Sequence, residues 1–281
     1  MKAVASRKKL IATCLCLLAA AVCAYPFVWM FFSAFKTQSE IYKPLLFFPS
    51  DYELDTFTVL FTGQLDNGAP LPFSFIEVFS HSLLIAGGQA LLATFVTAMA
   101  GYAFAKLEFR GKSILFLLAI LVILVPRQAL AVPVYKWMIQ IGLWGNLWSI
   151  ILLGTASGIG VIFFTQIFRR IPDSLVDLGR VEGSSEFRNF VTLLPLVAPA
   201  LVTYGLIHFI LAWQEHLLPL LLLSDENQTL PIALARLKDP SYRIPANVSM
   251  AAATFIVLPV VLLFAIFHRQ MRTALRDFTA H

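Results

Sequence analysis

The chain has 281 residues, of which 59% are hydrophobic and 13% are charged, and its mean hydropathy is +0.79. Soluble domains contain roughly 45–50% apolar and about 25% charged residues, so this composition excludes an ordinary soluble fold. The formal net charge of +5 is not gathered in a polar domain that could bind nucleic acid. The lipid bilayer must therefore solvate most of the chain, and the basic excess indicates orientation in the membrane.

Stretches free of Asp, Glu, Lys and Arg predict an all-α integral membrane protein with six transmembrane helices. About 20 helical residues cross the hydrocarbon core; the third span has one charge, Arg127, in its outer half, and the fifth has Glu215 near its outer end. The predicted spans are residues 10–35, 78–105, 114–134, 147–168, 194–221 and 245–267. Lys8 and Lys9 resemble the start of a signal peptide, but the apolar run after them is too long for one and favours a retained helix.

The uneven distribution of Lys and Arg between the spans predicts the orientation. One side of the membrane has 14 of these residues and the other has 6, with Arg127 counted separately. Since Lys and Arg are retained on the cytoplasmic side, residues 1–9 and 268–281 are both predicted to be cytoplasmic. Residues 36–77 and 222–244 are then external, and the first of these loops forms either an ordinary connection or a small docking lobe.

The cytoplasmic loop of residues 169–193 has the pattern of two short helices. Ser174 and Asp177 have the spacing of a capping box, and Gly183 predicts a turn. The first helix has an apolar stripe of Leu175, Leu178 and Val181. The second helix, which runs into the fifth span, has apolar residues at Phe187, Phe190, Val191 and Leu194. The periodicity predicts a helix–turn–helix at the membrane face, which either covers the ends of the spans or contacts a partner.

Residues 177–199 resemble the EAA loop of ABC importer permeases, whose pattern is E-A-A-x-x-D-G-A-S-x-x-x-x-F followed shortly by L-P-L-x-x-P. The matching residues are Gly183, Ser185, Phe190, Leu194, Pro195, Leu196 and Pro199. The chain departs from the pattern at Asp177-Leu178-Gly179, Glu182 and Ser184. Residues 101–112, 125–126, 132–135, 142–144 and 213–219 also resemble, in the same order, the carbohydrate-uptake permeases of the maltose-transporter type.

The resemblance implies a permease subunit of a type I ABC importer for a sugar or related polyol, with its permease domain over residues 78–270, in a bacterial cytoplasmic (inner) membrane. It also implies a second homologous permease, two ATP-binding subunits that hold ATP and magnesium, and an extracellular solute-binding protein. The predicted helix–turn–helix then contains the coupling helix that enters a groove on an ATP-binding subunit. The residues assigned to this coupling are Leu175, Asp177, Leu178, Arg180, Glu182, Gly183, Ser184 and Ser185.

Polar residues within or near the spans are candidates for the transport pathway or a gate. These candidates are Arg127, Trp213, Gln214 and Glu215. A charge at mid-span is costly, so Arg127 contacts the pathway unless it extends to the interface or pairs with a neighbour. His81 and His208 are single histidines in apolar surroundings, which is typical of packed histidines.

The sequence contains no GxxxxGK[ST] or GxSxG motif and no metal-ligand spacing, so no enzymatic activity, metal or cofactor is predicted for this chain. Its three cysteines lie in one apolar run and predict no disulfide framework. The main alternative is an ion-coupled secondary carrier, which requires acidic residues at mid-span. Glu215 is the single acid near a span interior, and a structural adaptor would not need the ordered loop of 169–193. The leading hypothesis is therefore the ATP-driven importer.

Overall fold

The computed structural model describes residues 2–43, 46–65 and 67–279. Residues 1, 44–45, 66 and 280–281, which belong to the predicted N-terminal segment, first outer loop and C-terminal tail, lie outside the described residues. Throughout the part that is described, the chain is helical and has no β-strand, so the all-α prediction is confirmed. A helix satisfies its own backbone groups, which is what an apolar chain in a membrane requires.

The helices are labelled in chain order. Their bounds are α1 Lys2–Ser33, α2 Gln38–Ile41, α3 Asp55–Thr62, α4 Phe75–Lys106, α5 Lys112–Ile123, α6 Ala131–Gln140, α7 Leu147–Thr155, α8 Gly158–Arg169, α9 Asp173–Val181, α10 Glu186–Leu193, α11 Ala198–Trp213, α12 Leu217–Leu222, α13 Leu230–Leu237 and α14 Ala246–Thr279. Tight helical turns at Arg127–Leu130 and Leu194–Val197 precede α6 and α11.

Within the described residues, four helical stretches are long and apolar enough to cross a membrane singly: Lys9–Ser33, Phe75–Lys106, Glu186–Trp213 and Ala246–Gln270. Two helix pairs pass the same test together. Lys112–Ile123 with Arg127–Gln140 is bent by 95°, and Leu147–Thr155 with Gly158–Arg169 is bent by 44°. Counting each bent pair as one span gives six spans, the number that the sequence predicts.

Three of the predicted spans are interrupted in the structure. The interruptions are at Leu124–Pro126 in span 114–134, at Ala156–Ser157 in span 147–168 and at Gln214–His216 in span 194–221. Pro126 has no N–H to continue a helix. Ala156 and Ser157 have extended backbones, and the Ser157 hydroxyl caps α8 by accepting from the Gly160 N–H at 3.2 Å.

The third interruption is stabilised by a side chain. Oε1 of Glu215 accepts hydrogen bonds from the N–H groups of His216 and Leu217, both at 3.0 Å, at the start of α12. N–H groups at the start of a helix have no carbonyl partner within the helix, so the Glu215 carboxylate supplies the missing acceptor. A charge-free run in the sequence shows that a segment is apolar, but it does not show where the backbone leaves the helix.

The chain forms two compact units. One comprises the segment up to Phe75 together with Leu234–Pro259, and the other comprises Ile76–Ala233 and the segment from Val260. In the first unit, the buried Lys36 ammonium donates to the Leu46 carbonyl at 2.6 Å. The rings of Phe57, Phe61 and Phe75 surround Phe255 there, with centroid separations of 6.2, 5.3 and 5.4 Å.

Buried apolar residues of the second unit form clusters, two of which lie within the described residues as follows. One cluster contains Tyr102, Phe164, Phe168, Val176 and Phe190, from α4, α8, α9 and α10. The other contains Ile85, Met138, Ile150, Leu222 and Leu223. The first cluster lies where α9 and α10 meet the membrane-spanning helices, and therefore determines how that helix pair is held.

Candidate functional site

The predicted helix–turn–helix is present as α9 and α10, called the helix pair below. Gly183 has a left-handed backbone, with φ of +77°, which glycine adopts at little cost. Its N–H donates to the Arg180 carbonyl at 3.0 Å, and the Ser184 N–H donates to the Gly179 carbonyl at 2.9 Å. These bonds close the end of α9 and turn the chain into α10.

The capping box predicted at Ser174 and Asp177 is wrong. The residue that precedes helix α9 is Pro172 and not Ser174, so the helix begins two residues earlier, at Asp173, and no side chain caps it. Proline suits this entry because its backbone φ is fixed near the helical value. The side-chain cap is instead on α10, where the Ser185 hydroxyl accepts from the Arg188 N–H at 3.3 Å.

The buried side of the helix pair packs against the membrane-spanning helices. Val176 of α9 and Phe190 of α10 are each 1% exposed. The Phe190 ring lies between α4 and α8, with centroid distances of 5.9 Å to Phe95, 5.7 Å to Tyr102 and 6.1 Å to Phe168. Aromatic contacts of this kind combine a large buried area with a defined geometry, so the helix pair is firmly attached.

The two helices of the pair touch each other closely at Gly179. A Cβ atom at this position would overlap the Asn189 side chain of α10. Asn189 is buried, and its amide nitrogen has no hydrogen-bond partner among the described residues. The amide therefore leaves no room for a larger residue than glycine unless it moves.

Arg180 connects the helix pair to the end of α4. Its Nε donates to Glu186 Oε1 at 2.7 Å, and its Nη1 donates to Asp177 Oδ1 at 3.0 Å. Its Nη2 donates to the Lys106 carbonyl at 3.2 Å, and the Tyr102 hydroxyl donates to Glu186 Oε2 at 2.8 Å. The hydrogen bond and charge of Glu186, followed by those of Asp177, raise the pKa of the guanidinium. One side chain thus joins α9, α10 and α4.

Asp173, at the first turn of α9, makes a second connection to α4. Its carboxylate pairs with the Lys106 ammonium, which also donates to the Ile171 carbonyl. The hydrogen bond and charge of Lys106 hold the pKa of the Asp173 carboxyl below its usual value. An acid at a helix start is also favoured by the helix dipole.

The apolar stripe of α9 faces away from this attachment. Leu175, Leu178 and Val181 are 45%, 59% and 85% exposed. The assigned coupling residues Asp177, Arg180, Glu182, Gly183 and Ser185 are exposed as well, and Ser184 is half-buried. The helix pair therefore presents an apolar strip with charged neighbours on a surface that the other described residues leave uncovered.

The candidate pathway residues separate into two groups. Arg127 and Glu215 line one cavity of about 320 Å³, called the polar cavity below. Trp213 is buried and packs on Phe209 and Phe79, at 5.6 and 5.8 Å, and Gln214 is exposed. Neither Trp213 nor Gln214 lines the polar cavity.

Three further polar residues line the polar cavity, and sequence reasoning did not assign them to it. Gln89, Ser157 and His208 come from α4, the α7–α8 interruption and α11. The Gln89 amide donates to the Ile150 carbonyl at 2.8 Å, and His208 Nε2 donates to the Gly154 carbonyl at 3.0 Å. The packing predicted for His208 is therefore a buried hydrogen bond at the cavity wall. His81 is partly buried, with Nδ1 at 3.3 Å from the Gln228 carbonyl.

Long apolar helices, interrupted spans around a polar cavity and an exposed helix pair define a multi-span membrane transport protein. The family model for the inner membrane component of binding-protein-dependent transport systems matches residues 94–277. The chain belongs to this family, and the membership that the EAA-like residues predict is confirmed. It is therefore a membrane subunit of a binding-protein-dependent transport system.

Two relatives match most of the chain. The arabinooligosaccharides transport system permease protein AraQ of Halalkalibacterium halodurans is 30% identical over 253 residues, covering 88% of each chain. The trehalose transport system permease protein SugB of Mycobacterium tuberculosis is 30% identical over 255 residues, again covering 88% of each.

A solved structure has the same fold. It is a chain of a bacterial ABC transporter involved in the import of the acidic polysaccharide alginate. The TM-score is 0.79 over 95% of this chain and 97% of that chain, at 17% identity.

Proposed function

We propose that this chain forms half of the translocation pathway of a type I ABC importer for a sugar or related polyol, with alternating access driven by ATP hydrolysis in separate subunits. Family membership and the names of the relatives, which include arabinooligosaccharide and trehalose permeases, support this proposal. The other half is a second homologous permease, and an extracellular solute-binding protein delivers the solute. In this proposal the ATP-binding subunits hold ATP and magnesium, and no catalytic or cofactor site is assigned to this chain.

The exposed stripe of α9 is the observation on which the coupling proposal rests. Leu175, Leu178 and Val181 fit the requirement for an apolar contact in a groove of an ATP-binding subunit. Asp177, Arg180 and Glu182 lie beside the stripe and supply a charged rim. Because Phe190 and Arg180 attach the pair to α4 and α8, a push on the stripe moves the membrane-spanning helices with it.

The coupling surface is tested by changing the stripe without changing its attachment. Leu178→Gln removes an exposed apolar contact, and Ser174→Gln is the matched control at an exposed position of the same helix. The first variant is expected to lose copurification with the ATP-binding subunit, while the control retains it. Equal recovery of the subunit with both variants would contradict the assignment of α9 as the coupling helix.

We further propose that the protein lies in a bacterial inner membrane with both termini and the helix pair in the cytoplasm, because 14 of the Lys and Arg residues lie on that side. Single cysteines at Arg170 and Glu53, in a background without the three native cysteines, test this orientation. An impermeant thiol reagent applied to spheroplasts is expected to label position 53 and not position 170. Labelling of position 170 and not of position 53 would show that the topology is the inverse of the one proposed.

The source of energy is tested in proteoliposomes that contain this chain with its copurifying partners. Uptake is expected with ATP in the absence of any ion gradient, because no acid lies in the middle of a predicted span where an ion-coupled carrier requires one. Uptake driven by a proton or sodium gradient without ATP would overturn the importer proposal and favour an ion-coupled carrier.

A further inference from the structure

The three interruptions of the spans lie around one place. Arg127 follows the α5 interruption, Ser157 lies in the α7–α8 interruption and Glu215 lies in the interruption after α11. All three residues line the polar cavity. Irregular backbone at membrane depth is stable only where protein covers it or where it lines a water-filled space, and transporters place their solute sites at such interruptions.

The polar cavity has a wall of fixed polar groups. Gln89 and His208 are buried, and each is held in place by one hydrogen bond to a backbone carbonyl of α7, at Ile150 and Gly154. These bonds do not use the amide oxygen of Gln89 or the second ring nitrogen of His208. The wall is therefore positioned before any solute enters, which reduces the cost of ordering it upon binding.

Opposite charges face the same space without pairing with each other. Arg127 forms no ion pair within the ranges that the structure describes, and Glu215 uses Oε1 to cap α12. The cavity thus has a strong donor on one side and a carboxylate acceptor on the other. Their charges balance, so an ion of either sign gains attraction from one residue and meets repulsion from the other.

An apolar cavity adjoins the polar one. It also has a volume of about 320 Å³ and shares Arg127, Ser157, Ile159 and Leu218 with the polar cavity. Its remaining wall is mostly aliphatic, with Val122, Val125, Leu130, Val134 and Leu153. A sugar has hydroxyl groups that both donate and accept, together with C–H surfaces that pack on apolar side chains. The combined space matches both properties and lies within the usual size of a small-molecule site.

We infer that this chain itself contains a binding site for a neutral, polyhydroxylated solute, formed by Gln89, Arg127, Ser157, His208 and Glu215. The inference rests on the proposed importer function and extends it, since the solute contacts this subunit and is selected for the absence of net charge. Arg127 donates to solute oxygens, and Glu215 and the free Nδ1 of His208 accept from solute hydroxyls.

The test uses the assembled complex in proteoliposomes with its solute-binding protein and ATP. The probes are radiolabelled arabinotriose and trehalose as neutral solutes and an oligogalacturonate as the anionic one. Arg127→Gln is expected to raise the KM for the better neutral probe about tenfold, the effect of losing hydrogen bonds from a charged group. Lys136→Gln, which removes a cation from α6 outside the polar cavity, is expected to leave KM unchanged.

A second variant tests charge selection through an improved KM for the anionic probe, which structural damage to the protein would not produce. Glu215→Gln is expected to raise the KM for the neutral probe and to lower the KM for oligogalacturonate, because the repelling carboxylate is gone. If ATP-dependent uptake continues while Arg127→Gln and Glu215→Gln leave both KM values unchanged, the site is wrong and the importer proposal stands. A wild-type preference for oligogalacturonate over both neutral probes would overturn the neutral class of solute.

A labelling measurement covers the case in which the charge variants fail to assemble. Ser157→Cys, in a background without native cysteines, places a thiol at the cavity wall with little change in size. The better neutral probe is expected to slow modification of this thiol by a thiol reagent at least severalfold, whereas a cysteine introduced in place of Gln140, outside the cavity, is expected to be unprotected. Equal modification rates of the thiol at position 157 with and without the probe would refute the site.

Discussion

At the helix pair, Gly179 of α9 lies against the buried amide of Asn189, and at the polar cavity, Gly154 of α7 lies against the buried amide of Gln89. The surroundings differ. Aromatic packing and ion pairs attach the helix pair to α4 and α8, whereas the Gln89 amide is bonded to a backbone carbonyl beside an interrupted helix. The helix pair is therefore built to move as one body, whereas the wall of the polar cavity is held by single hydrogen bonds between helices.

The largest expected effect is loss of the aromatic attachment. Phe190→Ala removes a fully buried ring and is expected to destabilise the docked helix pair by about 3–5 kcal/mol. Phe187→Ala is the matched control, since Phe187 is exposed on the same helix. Thermal unfolding of the purified chain and uptake per ATP hydrolysed measure the difference. Similar losses for the two variants would mean that Phe190 does not attach the pair.

The two glycine contacts test the comparison directly. Gly179→Ala forces the Asn189 amide to move and is expected to cost about 1–3 kcal/mol, with lower coupling of ATP hydrolysis to uptake. Asn189→Ala is expected to rescue it, because the obstructing side chain is gone. Gly154→Ala, in contrast, is expected to alter the KM of uptake more than the coupling ratio. If Gly179→Ala and Gly154→Ala both change mainly the KM, or both change mainly the coupling of ATP hydrolysis to uptake, the helix pair and the polar cavity do not have the separate roles proposed.

The turn at Gly183 is expected to have a smaller effect. A Cβ atom there meets no neighbouring atoms within 4 Å, but a valine must adopt a left-handed backbone, which costs roughly 1–2 kcal/mol. Gly183→Val is expected to redirect α9 and to reduce substrate-stimulated ATP hydrolysis and uptake. Normal values of both in the assembled complex would show that the turn geometry is not required.

The Arg180 connection is expected to contribute less, because its ion pairs are partly exposed and are weakened by solvent. Arg180→Gln is expected to cost about 1 kcal/mol or less in stability, yet to lower uptake per ATP hydrolysed. Arg188→Gln, an exposed change of the same charge on α10, is the control. If uptake per ATP hydrolysed is equal in the two variants, Arg180 does not contribute to coupling through its contacts with α10 and α4.

The smallest effect concerns pH. The pKa of Asp173 is lowered in the folded protein by Lys106, so its stabilising contribution is complete above the ordinary carboxyl pKa of about 3.9 and is lost as the pH falls through the folded value. Asp173→Asn is expected to flatten the acid side of the stability profile slightly. Unfolding temperatures measured between pH 7 and pH 3 check this, and an unchanged profile would contradict the pairing.

The sequence predicts the helix pair well because its signals are local. Gly183 and the spacing of apolar residues define the turn and the two helices without knowledge of distant contacts. The direction in which the Leu178 stripe points is not local, because it depends on Val176 packing beneath it. The side-chain cap was predicted at Ser174 rather than at Ser185 because serine is an equally good cap at both positions. Pro172 determines where α9 begins, and this leaves Ser174 inside the helix.

The polar cavity was only partly predictable. Pro126 and the charge of Arg127 indicate an unusual point in the third span. The α7–α8 interruption has no proline, and the bonds of Gln89 and His208 to α7 join helices that are distant in sequence. A composition that is apolar throughout does not reveal which polar side chains share a space.

The helical run from Glu186 to Trp213 has 28 residues, includes the tight turn at Leu194–Val197 and is long enough to act as a lever. Phe190, near one end, and His208, near the other, are about 27 Å apart by helical rise. A tilt of about 5° around Phe190 therefore displaces His208 by roughly 2 Å. A displacement of that size away from α7 takes the bond between His208 and the Gly154 carbonyl, which is 3.0 Å long, beyond hydrogen-bond distance. A rotation about Phe190 that is too small to disturb the packing of the Phe190 ring is thus enough to free the His208 ring from its hydrogen bond.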